Sequence, residues 1–139
     1  MAKRNARARS IDGKKICYSC SKWKEESEFS VRKGTDDGLH HECKDCVTGR
    51  RLPKYNLTLE QYKEMVESQG GVCAICLKPP SRAFDIDHDH NCCPQDTSCG
   101  KCVRGLLCFN CNSALGKFKD DPDSLRRAVA YLTRQVGNN

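Results

Sequence analysis

The chain has no long apolar run; across its 139 residues the apolar stretches are only a few residues long. A membrane-crossing helix needs about 20 consecutive apolar residues, so none is expected. The opening residues Met1–Ser10 are polar and carry Lys3, Arg4, Arg7 and Arg9 with no apolar run behind them, so no secretory leader is expected either. Apolar residues are scarce overall, 37% against 30% charged. The length fits one ordinary domain or two very small ones, and such small units bury too little surface to be secure without added cross-links. Histidine is also scarce, at four residues, so its placement carries information.

What the chain has is cysteine, twelve in all, ten of them in pairs with two residues between: Cys17/Cys20, Cys43/Cys46, Cys73/Cys76, Cys99/Cys102 and Cys108/Cys111. That spacing lets two thiolates reach one ion from a single tight turn and is poor for a disulfide within the pair. Metal sites are therefore expected rather than a secreted disulfide scaffold. Cys17, Cys20, Cys43 and Cys46 read as one four-thiolate set, with 22 residues between the pairs. Cys73, Cys76, Cys108 and Cys111 read as a second, with 31 residues between, room for a β-hairpin. A closed four-thiolate set has no position for water, so both zinc ions are expected to be structural. An interleaved pairing stays open. Trp23, Phe29 and Leu39 are the expected core of the first module. His40 and His41 are expected at the surface or on DNA phosphate rather than as ligands. Cys92, Cys93, Cys99 and Cys102 share one loop; a third zinc, non-ligating thiols and a reversible disulfide all stay open there, since adjacent cysteines fit one tetrahedral ion awkwardly.

Charge is uneven. Residues 1–54 hold 14 Lys and Arg against 8 Asp and Glu, a surplus of 6, while residues 55–139 hold 10 of each. The whole net charge of +6 therefore lies in the first part, as phosphate-backbone binding asks. Four segments follow: a basic disordered arm (1–12), a zinc-binding module (13–50), a linker at Pro53 (51–57) and a second domain (58–139). Thr58 and Gln61 form a capping box for a helix presenting Leu59, Tyr62, Met65 and Val66, stopped by Gly70 and Gly71. Short strands are expected at 83–86 and 103–107 and a short helix at about 112–119. Asp121 caps a last helix with Pro122 at its first position. Its stripe of Leu125, Ala128, Val129, Leu132 and Val136 reads as core, with a dimer face as the other reading.

The most informative stretch is Asp85-Ile86-Asp87-His88-Asp89-His90, three carboxylates and two of the four histidines in six residues. Strand alternation would put His88 and His90 on one face. Phosphodiester hydrolysis needs a base for water, a divalent cation at the phosphate and stabilisation of the leaving oxygen. A histidine supplies the base, and a carboxylate with an amide oxygen supplies hard ligands for magnesium. Asp87 beside His88, and Asn112 directly after Cys111, fit these parts.

These residues carry a resemblance. The segment from about Leu59 to Leu132, with Cys73-Ala-Ile-Cys76, Ile86-Asp87-His88-Asp89-His90, Gly100-Lys-Cys-Val-Arg-Gly-Leu-Leu-Cys108, and Cys111-Asn112 followed by Ala114 and Gly116, resembles the phage recombination endonuclease VII family, a branch of the HNH superfamily. The resemblance implies a small α+β zinc-bound fold: a ββα-metal (HNH, treble-clef-like) nuclease core, preceded here by the small four-cysteine module. It implies that Asp87 and Asn112 hold a catalytic Mg2+, replaceable by Mn2+, that His88 is the general base and that His90 assists at the phosphate. It implies DNA as partner, branched or Holliday-junction DNA above all, and a phage-encoded protein acting in the cytoplasm of a bacterial host. The cysteine-rich loop, the preceding module and a chain ending soon after the last helix depart from the best-known form, which leaves a homodimer open. Other readings are an HNH nuclease cutting linear duplex in restriction, homing or packaging, a non-catalytic zinc-finger DNA binder, and a zinc-based protein adaptor.

Overall fold

The computed structural model describes residues 10–134; Lys3, Arg4, Arg7, Arg9 and Val136 lie outside the described residues. The described chain forms two compact units, 10–63 with 96–100, and 64–95 with 101–134.

In the first unit, β1 (Lys14–Ile16) pairs antiparallel with β2 (Trp23–Glu25), and β3 (Phe29–Val31) with β4 (Leu39–Cys43), which runs into helix α1 (Lys44–Gly49). The core is small: Phe29 packs with Cys17 and Cys43, and Leu39 lies half-buried against them. Trp23, expected in this core, is 54% exposed. Alternation explains it, because the inward positions of the β1–β2 ribbon go to Lys15 and its partner Lys24, which turns Trp23 outward. Buried Lys15 is matched by Asp37 at 2.5 Å. Burial would raise the Asp37 carboxyl, but Lys15 and the Leu39 N–H hold it below the usual aspartate range.

The segment around Pro53 is not a plain linker. Leu52–Tyr55 forms a 3-10 turn with Leu52 only 2% exposed. Proline is tolerated there because the first turn of a helix needs no N–H from it. Residues 96–100 dock on this turn: the Ser98 N–H donates to the Lys54 carbonyl at 2.9 Å, and Asn56 Nδ2 donates to the Cys99 carbonyl at 3.1 Å. Gly100 has φ +85°, and a Cβ there would fall 2.9 Å from the Asn56 carbonyl oxygen, so only glycine fits without a shift. Arg50 forks onto Glu42 within the unit.

Helix α2 (Leu59–Ser68) carries the expected capping box, with Thr58 N–H on Gln61 Oε1 at 2.8 Å and Gln61 N–H on Thr58 Oγ1 at 3.2 Å. Gly70 and Gly71 at φ +64° and +72° end it.

The second unit is built on a hairpin, β5 (Asp85–His88) with β6 (Val103–Leu107), followed by α3 (Phe109–Lys117) and α4 (Pro122–Leu132). Its buried apolar residues are Cys73, Phe84, Ile86, Leu106 and Leu107. Gln69 acts as a surrogate strand: its Nε2 donates to the Leu106 carbonyl at 2.9 Å and its Oε1 accepts from the Leu106 N–H at 2.9 Å. Strand β6 lies where expected, but β5 is two residues later than 83–86, because its register against β6 starts at Asp85 opposite Leu107. Helix α3 starts at Phe109, so Asn112 lies inside its first turn rather than at its start. Helix α4 has the expected cap, Asp121 accepting from the N–H groups of Asp123 and Ser124. The expected core stripe does not hold. Leu125 and Ala128 are half-buried, but Val129 and Leu132 are 62% and 79% exposed. The five-residue core is already filled from the hairpin side, and α4 buries only one edge. No described helix is long and apolar enough to cross a membrane.

Candidate metal centres and the hairpin site

Each four-cysteine set is gathered by the same local device. Cys17 closes a turn in which its N–H donates to the Lys22 carbonyl at 2.9 Å and the Ser21 N–H donates to the Cys17 carbonyl at 2.9 Å, with Ser21 left-handed at φ +55°. Cys73 repeats it with Lys78 at 3.0 Å, Leu77 at 3.0 Å and φ +57° at Leu77. The second pair enters through a helix start. Cys43 is the N-cap residue of α1 with Cys46 in its first turn, and Cys108 is the N-cap residue of α3 with Cys111 in its first turn.

The sulfurs of Cys17, Cys20, Cys43 and Cys46 lie within 4.8 Å of one another, as do those of Cys73, Cys76, Cys108 and Cys111. The Cys17–Cys46 and Cys76–Cys108 Sγ separations are both 3.8 Å. A tetrahedral ion with Zn–S bonds of about 2.3 Å puts its sulfurs about 3.8 Å apart, far beyond a disulfide length of about 2.05 Å. Four soft donors at that spacing fit zinc. Burial pushes the Cys17 thiol up, but the N–H groups of Cys43, Cys20 and Ser19 bring it down to about 6. The Cys73 thiol is likewise raised by burial and brought down to about 6 by the N–H groups of Cys108, Cys76 and Ile75. Burial and then the neighbouring sulfurs push Cys46 and Cys111 up to about 12. Four thiolates this close need a cation before all can ionise.

The Asp85–His88 strand lies between the two cysteine pairs of the second set. A bulge separates Asp87, opposite Gly105, from His88, opposite Val103, so Arg104 is the extra residue on β6. Bulges re-aim side chains. Here Arg104 grips the buried Asp87 carboxylate, Nε to Oδ2 at 2.7 Å and NH2 to Oδ1 at 3.0 Å. The Asp87 hydrogen bond, helped by the charges of Asp87, Asp120 and Asp89, holds the guanidinium above its usual value despite partial burial.

His88 is 5% exposed, and its Nε2 lies 3.0 Å from the Gln95 carbonyl. A carbonyl only accepts, so Nε2 carries the proton and Nδ1 is the basic nitrogen of the neutral ring. His90 follows the end of β5, yet its ring centroid is 4.6 Å from that of His88, so the two imidazoles do meet. His90 Nδ1 donates to Asp120 Oδ2 at 2.8 Å, and Arg104 NH2 is 3.6 Å from the same oxygen. Asp120 reaches them from a left-handed turn after α3, Lys119 and Asp120 having φ +55° and +53°.

Asn112 reaches the same strand at Asp85, with Nδ2 3.5 Å from Oδ2, a weak contact. Asp85 and Asp87 are two apart on β5 and share a face, so two carboxylates and an amide collect on one side of the hairpin. Such an oxygen-rich set suits a hard divalent cation. The sequence reading missed Arg104, Asp120 and the Gln95 carbonyl. Arg104 had a signal, as a lone charge within Val103–Leu107; Asp120 had none, because its reach depends on a turn of the folded chain.

In the second unit the sulfurs of Cys92, Cys93 and Cys102 also lie within 4.8 Å of one another. The Asp89 carbonyl accepts from the N–H groups of Cys92 and Cys93, at 3.1 and 3.0 Å, and the Asp89 N–H donates to the Cys102 carbonyl at 2.9 Å.

Known proteins are similar to this chain over part of its length. The Gene 59 protein of Mycobacterium phage D29 is 38% identical over 88 residues, 61% of this chain and 48% of the phage protein. The Gene 59 protein of Mycobacterium phage L5 is 36% identical over 86 residues, 60% of this chain and 48% of the phage protein. The chain thus spans about half the length of these relatives. The crystal structure of the ββα-Me type II restriction endonuclease Hpy99I aligns over 91% of this chain and 68% of that one, with 29% identity and a TM-score of 0.32, too low to equate the two folds. The sequence profile of recombination endonuclease VII matches residues 48–134, more than half the chain, and the protein belongs to that family.

Proposed function

We propose that the chain is a metal-dependent DNA endonuclease whose hydrolytic site is the β5–β6 hairpin, braced by a structural zinc on Cys73, Cys76, Cys108 and Cys111. The observation that carries this reading is the histidine pair against the buried Asp87–Arg104 couple, with His88 Nε2 on the Gln95 carbonyl. A binder or adaptor has no use for a buried imidazole whose proton is fixed on one nitrogen. Family membership supports the same class of activity.

In this reading His88 takes a proton at Nδ1 from the water that attacks phosphorus. Gln95 keeps the other proton on Nε2 and so fixes the tautomer. His90, oriented by Asp120, donates from its exposed side to the phosphate. Asp87 and Asn112 would hold the divalent cation, Mg2+ or Mn2+, which when bound neutralises charge on the phosphate and the leaving oxygen. Arg104 adds a positive charge beside Asp87 and is 40% exposed, within reach of a backbone phosphate. The first module, with its own zinc on Cys17, Cys20, Cys43 and Cys46, supplies DNA affinity through the basic surplus of residues 1–54.

The substrate we propose is branched DNA, including four-way (Holliday) junctions. Among the described residues no helix lines up several base-reading side chains, whereas phosphate contacts suit strands that converge on a branch. The phage origin of the relatives supports a phage-encoded protein working in the host cytoplasm. A homodimer belongs to this reading, with the outward Val129 and Leu132 of α4 as its surface. The test is cleavage of a four-way junction, a flap and a linear duplex of matched sequence in magnesium. Faster cutting of the branched substrates is expected. Equal rates, or one defined cut in linear DNA, would move the reading to a restriction or packaging nuclease of the same chemistry, and no cutting of any substrate would end it.

A further inference from the structure

We infer that the loop after β5 is a third zinc site, held by Cys92, Cys93 and Cys102, and that this zinc positions the general base. Their three sulfurs lie within 4.8 Å of one another in the second unit, the spacing found in the two four-cysteine sets. Adjacent cysteines reach one ion when the chain turns sharply beside them, and it does. Both the Cys92 and Cys93 N–H groups converge on the Asp89 carbonyl, at 3.1 and 3.0 Å.

Its place gives it a second role. Asp89, between the two histidines, is tied to the loop by its N–H on Cys102 and its carbonyl on Cys92 and Cys93. Gln95, two residues after Cys93, supplies the carbonyl that holds the proton of His88 on Nε2. An ion that locks Cys92 and Cys93 to Cys102 therefore locks both the backbone beside His88 and the group that sets its tautomer. Gln95 is a positioning residue through its backbone, so no side-chain substitution there would reveal it; only loosening the loop would. Cys92 is exposed, so this zinc should leave before the other two.

The role at His88 rests on the proposed function; the zinc count does not. Elemental analysis and native mass spectrometry of the full chain purified with zinc should give three zinc ions per chain. Two ions, with or without a disulfide in the loop, would overturn the site. A chelator titration should release one zinc ahead of the others. Cys92→Ser with Cys102→Ser should drop the count from three to two with the chain still folded; if that variant aggregates, the wild-type count still decides. In the folded variant, nitrogen NMR of the His88 ring should change from one tautomer to a mixture. Turnover on DNA should fall about tenfold or more while DNA affinity stays within about twofold, a loss of the size seen when outer-shell partners of a site are removed. Three zinc ions together with an unchanged His88 tautomer in the variant would overturn the positioning role. If the wild type cuts no DNA, the nuclease reading fails while the zinc count and the NMR signal remain readable.

Discussion

Cys17 and Cys73 stand in matching local structures: a turn closed five residues on, a left-handed residue at the fourth position, a partner pair delivered by a helix N-cap, and sulfurs 3.8 Å apart across the set. What differs is the hairpin each clasp encloses. In the first unit β3 and β4 bring Phe29 and Leu39 to the cysteine set, and the polar residues of β4 serve the unit itself, Glu42 being gripped by Arg50. In the second unit β5 and β6 have a bulge at Arg104, and the buried polar positions are Asp87 and His88. Two clasps of one design thus carry different burdens. One hairpin supplies a core; the other places a carboxylate and an imidazole in its interior, which costs stability in so small a unit, a cost that the proposed zinc would offset.

The largest effects should come from breaking either clasp. Structural zinc of this type contributes about 10–16 kcal/mol to folding of small modules, more than either unit could lose and stay folded. Cys73→Ser with Cys108→Ser should unfold the second unit and abolish cleavage. Cys17→Ser with Cys43→Ser should unfold the first and weaken DNA binding, leaving residual cleavage at high DNA concentration. Circular dichroism, zinc content and cleavage read together check this; equal loss of cleavage in both variants would show that the division of labour is wrong.

A smaller effect tests what the second hairpin bears. Arg104→Ala leaves the Asp87 carboxylate buried without its two charge-assisted hydrogen bonds. Arg104 is partly exposed, so the cost should be about 1–3 kcal/mol rather than that of a fully buried pair. Because the proposed cation also binds Asp87, magnesium should narrow the gap in Tm between variant and wild type. A gap that does not change with magnesium would argue that Asp87 is not a metal ligand.

The smallest lies outside both clasps. Asp121→Ala removes the cap of α4, a helix with no buried residue. Its hydrogen bonds from Ser124 and the Asp123 N–H hold the Asp121 carboxyl below the usual range. A lowered folded value means the cap contributes fully above the ordinary aspartate range and is lost as pH falls through the folded value. Thermal melts should therefore show a small destabilisation at neutral pH with cleavage unchanged. A large loss of cleavage would place α4 in the site's support.

The legible parts of the sequence were those with short-range causes. The cysteine pairs, the Thr58–Gln61 box, the Asp121–Pro122 start and strand Val103–Leu107 each follow from residues a few positions apart. The parts it hid depend on distant partners. The β5 register is set by β6, the start of α3 by Cys108 acting as N-cap, and the exposure of Val129 and Leu132 by the filling of the core from its other side. In the candidate site, Asp87 and His88 were visible as a dense polar cluster in a chain poor in histidine. Arg104 and Asp120 were not, since one acts through a bulge and the other through a left-handed turn 30 residues beyond His90.

The most direct test of the second hairpin as a hydrolytic site is His88→Ala, assayed for magnesium-dependent cleavage and, without magnesium, for DNA binding. The base acts only in the chemical step, so turnover should fall about a hundredfold or more while Kd stays near wild type. Cleavage at the wild-type rate by a folded, zinc-loaded His88→Ala protein would contradict the account.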